Sequence, residues 1–67
     1  MATVTTKFKA HLPEIWEAID GDIDLRSANQ KLYKKIYKYY KNSGVIFTGD
    51  SDIDYNVIIN YLYEDIN

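Results

Sequence analysis

Apolar residues recur every three or four positions along most of the chain, and this spacing predicts a mainly helical fold. Pro13 suits the first position of one helix, and Asp24 suits the N-cap of a second. Ser51 or Asp52 suits the N-cap of a third helix, and Gly44 lies where the second should stop. The predicted helices cover about residues 13–20, 25–42 and 53–66.

Two shorter stretches predict β-structure. Residues 3–10 alternate between polar positions and positions such as Val4 and Phe8, which is the period of a half-buried strand. Residues 45–48 are all β-branched or aromatic, a composition typical of strands. We expect the two stretches to pair as a short two-stranded sheet, so the predicted fold class is α+β, mainly helical.

A partial internal repeat relates residues 20–36 to residues 50–66 at an offset of thirty positions. Seven of the seventeen aligned pairs are identical, against roughly one expected from composition. The identical pairs are Asp20/Asp50, Asp22/Asp52, Ile23/Ile53, Asp24/Asp54, Leu32/Leu62, Tyr33/Tyr63 and Ile36/Ile66. We interpret the repeat as two helices that share start chemistry and core spacing within one small domain, residues 1–67.

Helical spacing sorts the second predicted helix into a core stripe, a group of tyrosines and a broad lysine face. The core stripe consists of Leu25, Ala28, Leu32, Ile36 and Tyr39. Tyrosines are favoured at interfaces and lysines attract acidic partners. The predicted partner-binding residues are therefore Tyr33, Lys34, Tyr37, Lys38, Tyr40 and Lys41. The alternative is an ordinary solvated face, partly neutralised by Asp50, Asp52 and Asp54 if the third helix runs antiparallel.

The third predicted helix is apolar on more than one side. Besides its core stripe it carries a second apolar stripe made of Ile53, Val57 and Tyr61. A chain of 67 residues without cysteine buries a small core and has no disulfide to support it. We therefore predict self-association through this stripe, with a homodimer as the expected assembly.

Residues that could carry catalysis are few. His11 is the only histidine, and in a loop beside Pro13 it is expected to be a surface residue. The aspartates from Asp50 onward mimic a calcium-binding loop, but Tyr55 replaces its turn glycine and Tyr61 its bidentate glutamate. We predict no enzyme activity, no metal site and no cofactor.

The net charge of the chain limits the classes of partner that it can bind. The formal net charge is -2, so non-specific binding to nucleic acid is expected to be weak, and the basic second helix is the one segment that could supply it. A helix-turn-helix around Gly21 is disfavoured because Asp20, Asp22 and Asp24 would repel phosphate. No apolar run reaches the length of a membrane span or of a signal peptide core, so we expect a cytoplasmic protein without membrane contact.

The first prediction of function is a small non-enzymatic protein that binds another protein with an acidic or mixed-charge surface. Its size, acidity and richness in Asn, Ile, Tyr, Lys and Asp resemble the small accessory proteins of phages and mobile elements. That resemblance implies an inhibitor or regulator of a host enzyme or defence complex. The alternative is a nucleic-acid-binding regulator that uses the basic helix, and a third class is a self-assembling structural subunit.

Overall fold

The computed structural model describes residues 3–66, and this part of the chain is mainly helical. A single turn of 3-10 helix at Lys9–His11 joins the first two α-helices. The α-helices are α1 (Thr3–Lys7), α2 (Leu12–Ile19), α3 (Leu25–Ala28), α4 (Gln30–Asn42) and α5 (Ser51–Ile66). Residues 3–66 contain no strand, so the predicted two-stranded sheet at 3–10 and 45–48 is wrong. The prediction of three helices is also wrong, because residues 3–66 contain five α-helices.

The prediction for residues 3–10 was wrong because the two buried residues of this segment fit the spacing of a helix as well as that of a strand. Val4 and Phe8 are both buried, while Thr6 and Ala10, which a strand would place on the same side as Val4 and Phe8, are exposed. A spacing of four positions places two side chains on one face of a helix as well as of a strand. The backbone N–H of Phe8 donates to the carbonyl of Val4 at 2.9 Å, which is the helical hydrogen bond.

The second predicted helix is divided at Asn29. This residue has φ -152° and ψ 81°, so it ends α3 and begins α4. Its side-chain carbonyl accepts from the backbone N–H of Leu32 at 3.2 Å, and its amide donates to Glu14 of α2 at 3.0 Å. Asparagine can replace a helical hydrogen bond with its own side chain, and the contact with Glu14 adds a tertiary reason for the break.

Residues 45–48 form a loop held by a buried carboxylate. Asp54 is only 3% exposed. Its carboxylate accepts from the backbone N–H and hydroxyl of Thr48, at 2.8 and 2.9 Å, and from the N–H of Gly49 at 3.0 Å. Burial disfavours the charged form, but these hydrogen bonds together outweigh it and lower the pKa of Asp54. Asp54 of α5 thus forms hydrogen bonds with this loop, in place of those that pairing with a second strand was expected to supply.

The two halves of the internal repeat adopt different structures. Residues 50–66 are one continuous helix with its cap: Asp50 accepts from the backbone N–H groups of Asp52 and Ile53, at 2.9 and 3.1 Å. Residues 20–36 instead cover a turn, α3 and the start of α4. Arg26 joins the halves, since its guanidinium lies 2.6 Å from Asp24 and 2.7 Å from Asp52.

One hydrophobic core contains residues from all five α-helices and also Phe8, which lies between α1 and the 3-10 turn. Burial of this apolar surface is the main favourable contribution to folding. The buried apolar residues are Val4, Phe8, Ile15, Ala18, Leu25, Leu32, Ile36, Tyr40, Ile58 and Leu62. Two members of the predicted core stripe are placed differently, because Ala28 is exposed and Tyr39 is only half-buried.

Candidate functional site

Tyr40 is separated from the other predicted partner-binding residues. It is 3% exposed, and its hydroxyl donates a 2.7 Å hydrogen bond to Asp65 of α5. Burial, followed by this hydrogen bond, raises the pKa of Tyr40 above that of a free tyrosine. With Leu32 and Ile36 at four-residue intervals, Tyr40 forms the buried side of α4. Little of its surface can therefore meet a partner.

Tyr33 and Tyr37 form the edge of α4 that meets α5 and the loop before it. The ring of Tyr37 stacks on Phe47, with 4.3 Å between centroids and 18° between planes. Tyr33 lies 5.7 Å from the ring of Tyr55 and 6.3 Å from that of Tyr37. Burial is the main reason that the pKa of Tyr33 is raised. Both side chains are half-buried, so each has a structural contact on one side and solvent on the other.

The lysines of α4 lie at the surface of the described chain. Lys34, Lys38 and Lys41 are exposed, as are Lys31 and Lys35. Within residues 3–66 no lysine ammonium forms an ion pair with a carboxylate.

The aspartates expected to neutralise these lysines are engaged elsewhere. Asp50 caps α5, Asp52 pairs with Arg26, and Asp54 holds the loop. The lysine face of α4 therefore keeps its positive charge.

A groove between the N-terminal segment and α4 was not foreseen from the sequence. Its volume is about 700 Å³, and we call it the α1–α4 groove. Three lysines, two aromatic rings and the only histidine line it: Lys7, Lys35, Lys38, Phe8, Tyr39 and His11. A strand at 3–10 would have directed these side chains differently. The signal that could have revealed the groove is the four-residue spacing of Val4 and Phe8, which also fits a helix.

The rings of the groove are held in place by each other. Phe8 and Tyr39 meet edge to face, with centroids 5.9 Å apart and planes at 88°, an arrangement that aromatic pairs favour. The ammonium of Lys7 lies 5.8 Å from the centroid of the Tyr39 ring, within the range of a cation–π contact. The groove therefore combines an aromatic wall with positive charge.

The predicted self-association residues lie on α5. Ile53 is 51% exposed, Tyr61 is 41% exposed and Val57 is half-buried. The ring of Tyr61 lies 5.4 Å from that of Tyr40. Ile46, in the loop before α5, is 89% exposed. The structure thus leaves two large apolar residues of the predicted stripe open to solvent.

The described residues show no arrangement typical of a catalytic or metal centre. Nδ1 of His11 lies 3.1 Å from Oε1 of Glu14, whereas the hydroxyl of Ser43, which lines the same groove, donates to the carbonyl of Tyr39. No group of three histidine, cysteine, aspartate or glutamate residues within 3–66 could hold a metal ion. None of the helices in that range is both long enough and apolar enough to span a bilayer.

No known protein family, curated protein or solved structure matches this chain. The assignment of a function therefore depends on the geometry of α4, the α1–α4 groove and the exposed stripe of α5.

Proposed function

We propose that this chain is a small non-enzymatic binding protein that acts through protein–protein interaction. The surface that meets the partner is the lysine face of α4, which Tyr33 and Tyr37 border on one side and the α1–α4 groove on the other. The partner presents an acidic surface. The observation that carries the proposal is that every lysine of α4 is exposed and none pairs with a carboxylate within residues 3–66.

The distribution of charge favours an acidic partner of limited size. All seven lysines belong to the segment before α2 or to α4, whereas the one arginine is bound to Asp24 and Asp52. Such a concentration of positive charge raises the rate of association with an acidic surface. The half-buried rings beside the lysines supply rigid contact area at little cost in side-chain entropy.

A nucleic-acid partner is the second candidate, and the unpaired lysines are the observation that favours it. Against it, eight basic residues are outnumbered by ten carboxylates over the whole chain. A long polyanion binds by neutralising its phosphates over an extended surface and is repelled by carboxylates in its path. A compact acidic patch on a protein can contact the lysine face alone.

Affinity capture from an extract of the source cells tests the proposal. We compare the wild type with Lys34→Gln/Lys38→Gln and with a control, Asn56→Glu/Asn60→Glu. The control residues are exposed on α5, and both variants are two charges more negative than the wild type. We expect wild type and control to retain the same nuclease-resistant protein, and the lysine variant to lose it. Equal retention by all three, or capture of material that nuclease removes, would overturn the proposal.

A further inference from the structure

The α1–α4 groove differs in its charge from two other cavities in the described part of the chain. Two smaller cavities, of about 450 and 300 Å³, are each lined by carboxylates, Asp22 and Asp24 in the first and Asp65 in the second. The α1–α4 groove is larger, at about 700 Å³, and no carboxylate lines it. Its volume falls within the range of roughly 300–1,000 Å³ that is usual for ligand sites.

The positive charge of the groove comes from two separate elements. Lys35 and Lys38 are three residues apart on α4, so their side chains leave the helix on the same side. Lys7 ends α1 and faces them across the groove, with its ammonium over the ring of Tyr39. Since His11 is hydrogen-bonded to Glu14, the three lysines are the groups that can attract an anion.

The groove also offers apolar surface. Phe8 is buried and Tyr39 half-buried, and their edge-to-face contact keeps both rings in position. Ala10 adds a methyl group to the lining. A free carboxylate or phosphate would use the lysines and leave this surface wet, whereas an apolar side chain would cover it.

From these features we infer that the groove holds an acidic peptide segment of the partner in which one large apolar side chain lies between carboxylates. The apolar side chain packs against the half-buried ring of Tyr39, which Phe8 holds in position, and the flanking carboxylates meet Lys7, Lys35 and Lys38. This assignment rests on the proposed function and adds the chemistry that the partner must carry. Lys38 belongs to both surfaces, so the groove continues the lysine face of α4.

Peptide titration followed by NMR on the ¹⁵N-labelled full chain tests the groove. The probe is a nine-residue peptide with a central phenylalanine between aspartates and glutamates. A second peptide has serine in place of the phenylalanine, and a third has lysines in place of the acidic residues. We expect the first peptide to shift the amide signals of Lys7, Phe8, Lys35, Lys38 and Tyr39. The serine peptide should bind at least about fivefold more weakly, and the lysine peptide should cause no shifts.

Charge reversal on α4 supplies the matched pair of variants. Lys35→Glu/Lys38→Glu should weaken binding of the first peptide by about tenfold or more at low salt. Lys34→Glu/Lys41→Glu makes the same charge change on the same helix, outside the groove lining, and should weaken it by less than about threefold. All four lysines are exposed, so both variants should fold, which their amide spectra verify.

Failure of the groove can be told apart from failure of the proposed function. Shifts confined to Tyr33, Tyr37 and Lys41 would overturn the groove and leave a protein-binding face on α4. Absence of shifts at about 1 mM peptide would also overturn the groove, while the capture experiment judges the proposed function separately. Tighter binding of a ten-residue oligothymidine than of the peptide, at 150 mM salt, would overturn both.

Discussion

Replacing Tyr40 by phenylalanine separates the structural role of this residue from a role in binding. The substitution keeps the ring, which is 3% exposed and lies 5.2 Å from Tyr39 and 5.4 Å from Tyr61. It removes only the hydroxyl, and with it the 2.7 Å hydrogen bond to Asp65. Because that hydroxyl points at α5, Tyr40→Phe should lower the free energy of unfolding and leave partner binding unchanged.

The expected loss of stability follows from one hydrogen bond. A typical intramolecular hydrogen bond contributes about 1 kcal/mol net to stability, and Asp65 is half-buried, so water can take over part of its solvation. We expect Tyr40→Phe to reduce the free energy of unfolding by about 1 kcal/mol near pH 8. For a domain of this size that corresponds to a Tm lower by about 4–8 °C.

The pH dependence of the free energy of unfolding gives a second test of the structural role of Tyr40. Since the pKa of Tyr40 is raised in the folded protein from 10.0, its contribution is fully present below pH 10 and is lost as the pH rises above that value. If Tyr40 stays protonated in the folded protein, its ionisation in the unfolded chain lowers the free energy of unfolding of the wild type by about 0.4 kcal/mol at pH 10 and by about 0.8 kcal/mol at pH 10.5. The phenylalanine variant lacks this group, so its deficit relative to wild type should shrink by those amounts.

Urea unfolding followed by far-ultraviolet circular dichroism at pH 8, 9, 10 and 10.5 measures both effects. The raised pKa of Tyr33 affects both proteins equally and cancels in the difference. A deficit that stays constant from pH 8 to 10.5 would show that Tyr40 titrates like a free tyrosine and is not buried. A variant as stable as wild type at pH 8 would refute the hydrogen bond to Asp65.

Two further predictions concern acid stability and assembly. The pKa of Asp54 is lowered from 3.8 by its hydrogen bonds to Thr48 and Gly49, so its contribution is present above about pH 4 and is lost as the pH falls further. Urea midpoints from pH 2 to 7 should therefore fall more steeply below pH 4 for wild type than for Asp54→Asn, and parallel curves would contradict this reasoning. If the exposed stripe of α5 mediates self-association, light scattering at about 100 μM should give more than the 7.8 kDa of one chain, and Ile53→Asp should return it to that mass; a monomeric wild type would rule this out.

The helical regions with long periodic patterns could be predicted from the sequence alone. The predicted helices at 13–20 and 53–66 correspond to α2 and α5 within one or two residues at each end. The reason is local, since a helix satisfies its own backbone hydrogen bonds and shows its buried face as a spacing of three and four. The lysine face of α4 could be predicted for the same reason.

The candidate groove could not be predicted, because it depends on which of two compatible patterns the N-terminal segment follows. Val4 and Phe8 fit a strand and a helix equally, and the choice is made by what covers them in the folded chain. Burial of both residues in the core that α4 and α5 share puts Lys7 beside Tyr39. Neither the burial of Val4 and Phe8 in that core nor the contact of Lys7 with Tyr39 can be predicted from the local sequence.

Sequence by itself determined that this chain is mainly helical, that its lysines lie before α2 and on α4, and that Asp24, Asp52 and Asp54 lie at helix starts. Tertiary structure alone decided that Asn29 breaks a helix, that Asp54 holds the loop at Thr48, and that Tyr40 is buried while Tyr37 stays at the surface. Periodicity fixes which residues share a helix face but leaves open which face a distant segment covers. Competition among long-range contacts decides which face is covered. The face that is covered determines which tyrosines lie in the core and which stay accessible to a partner.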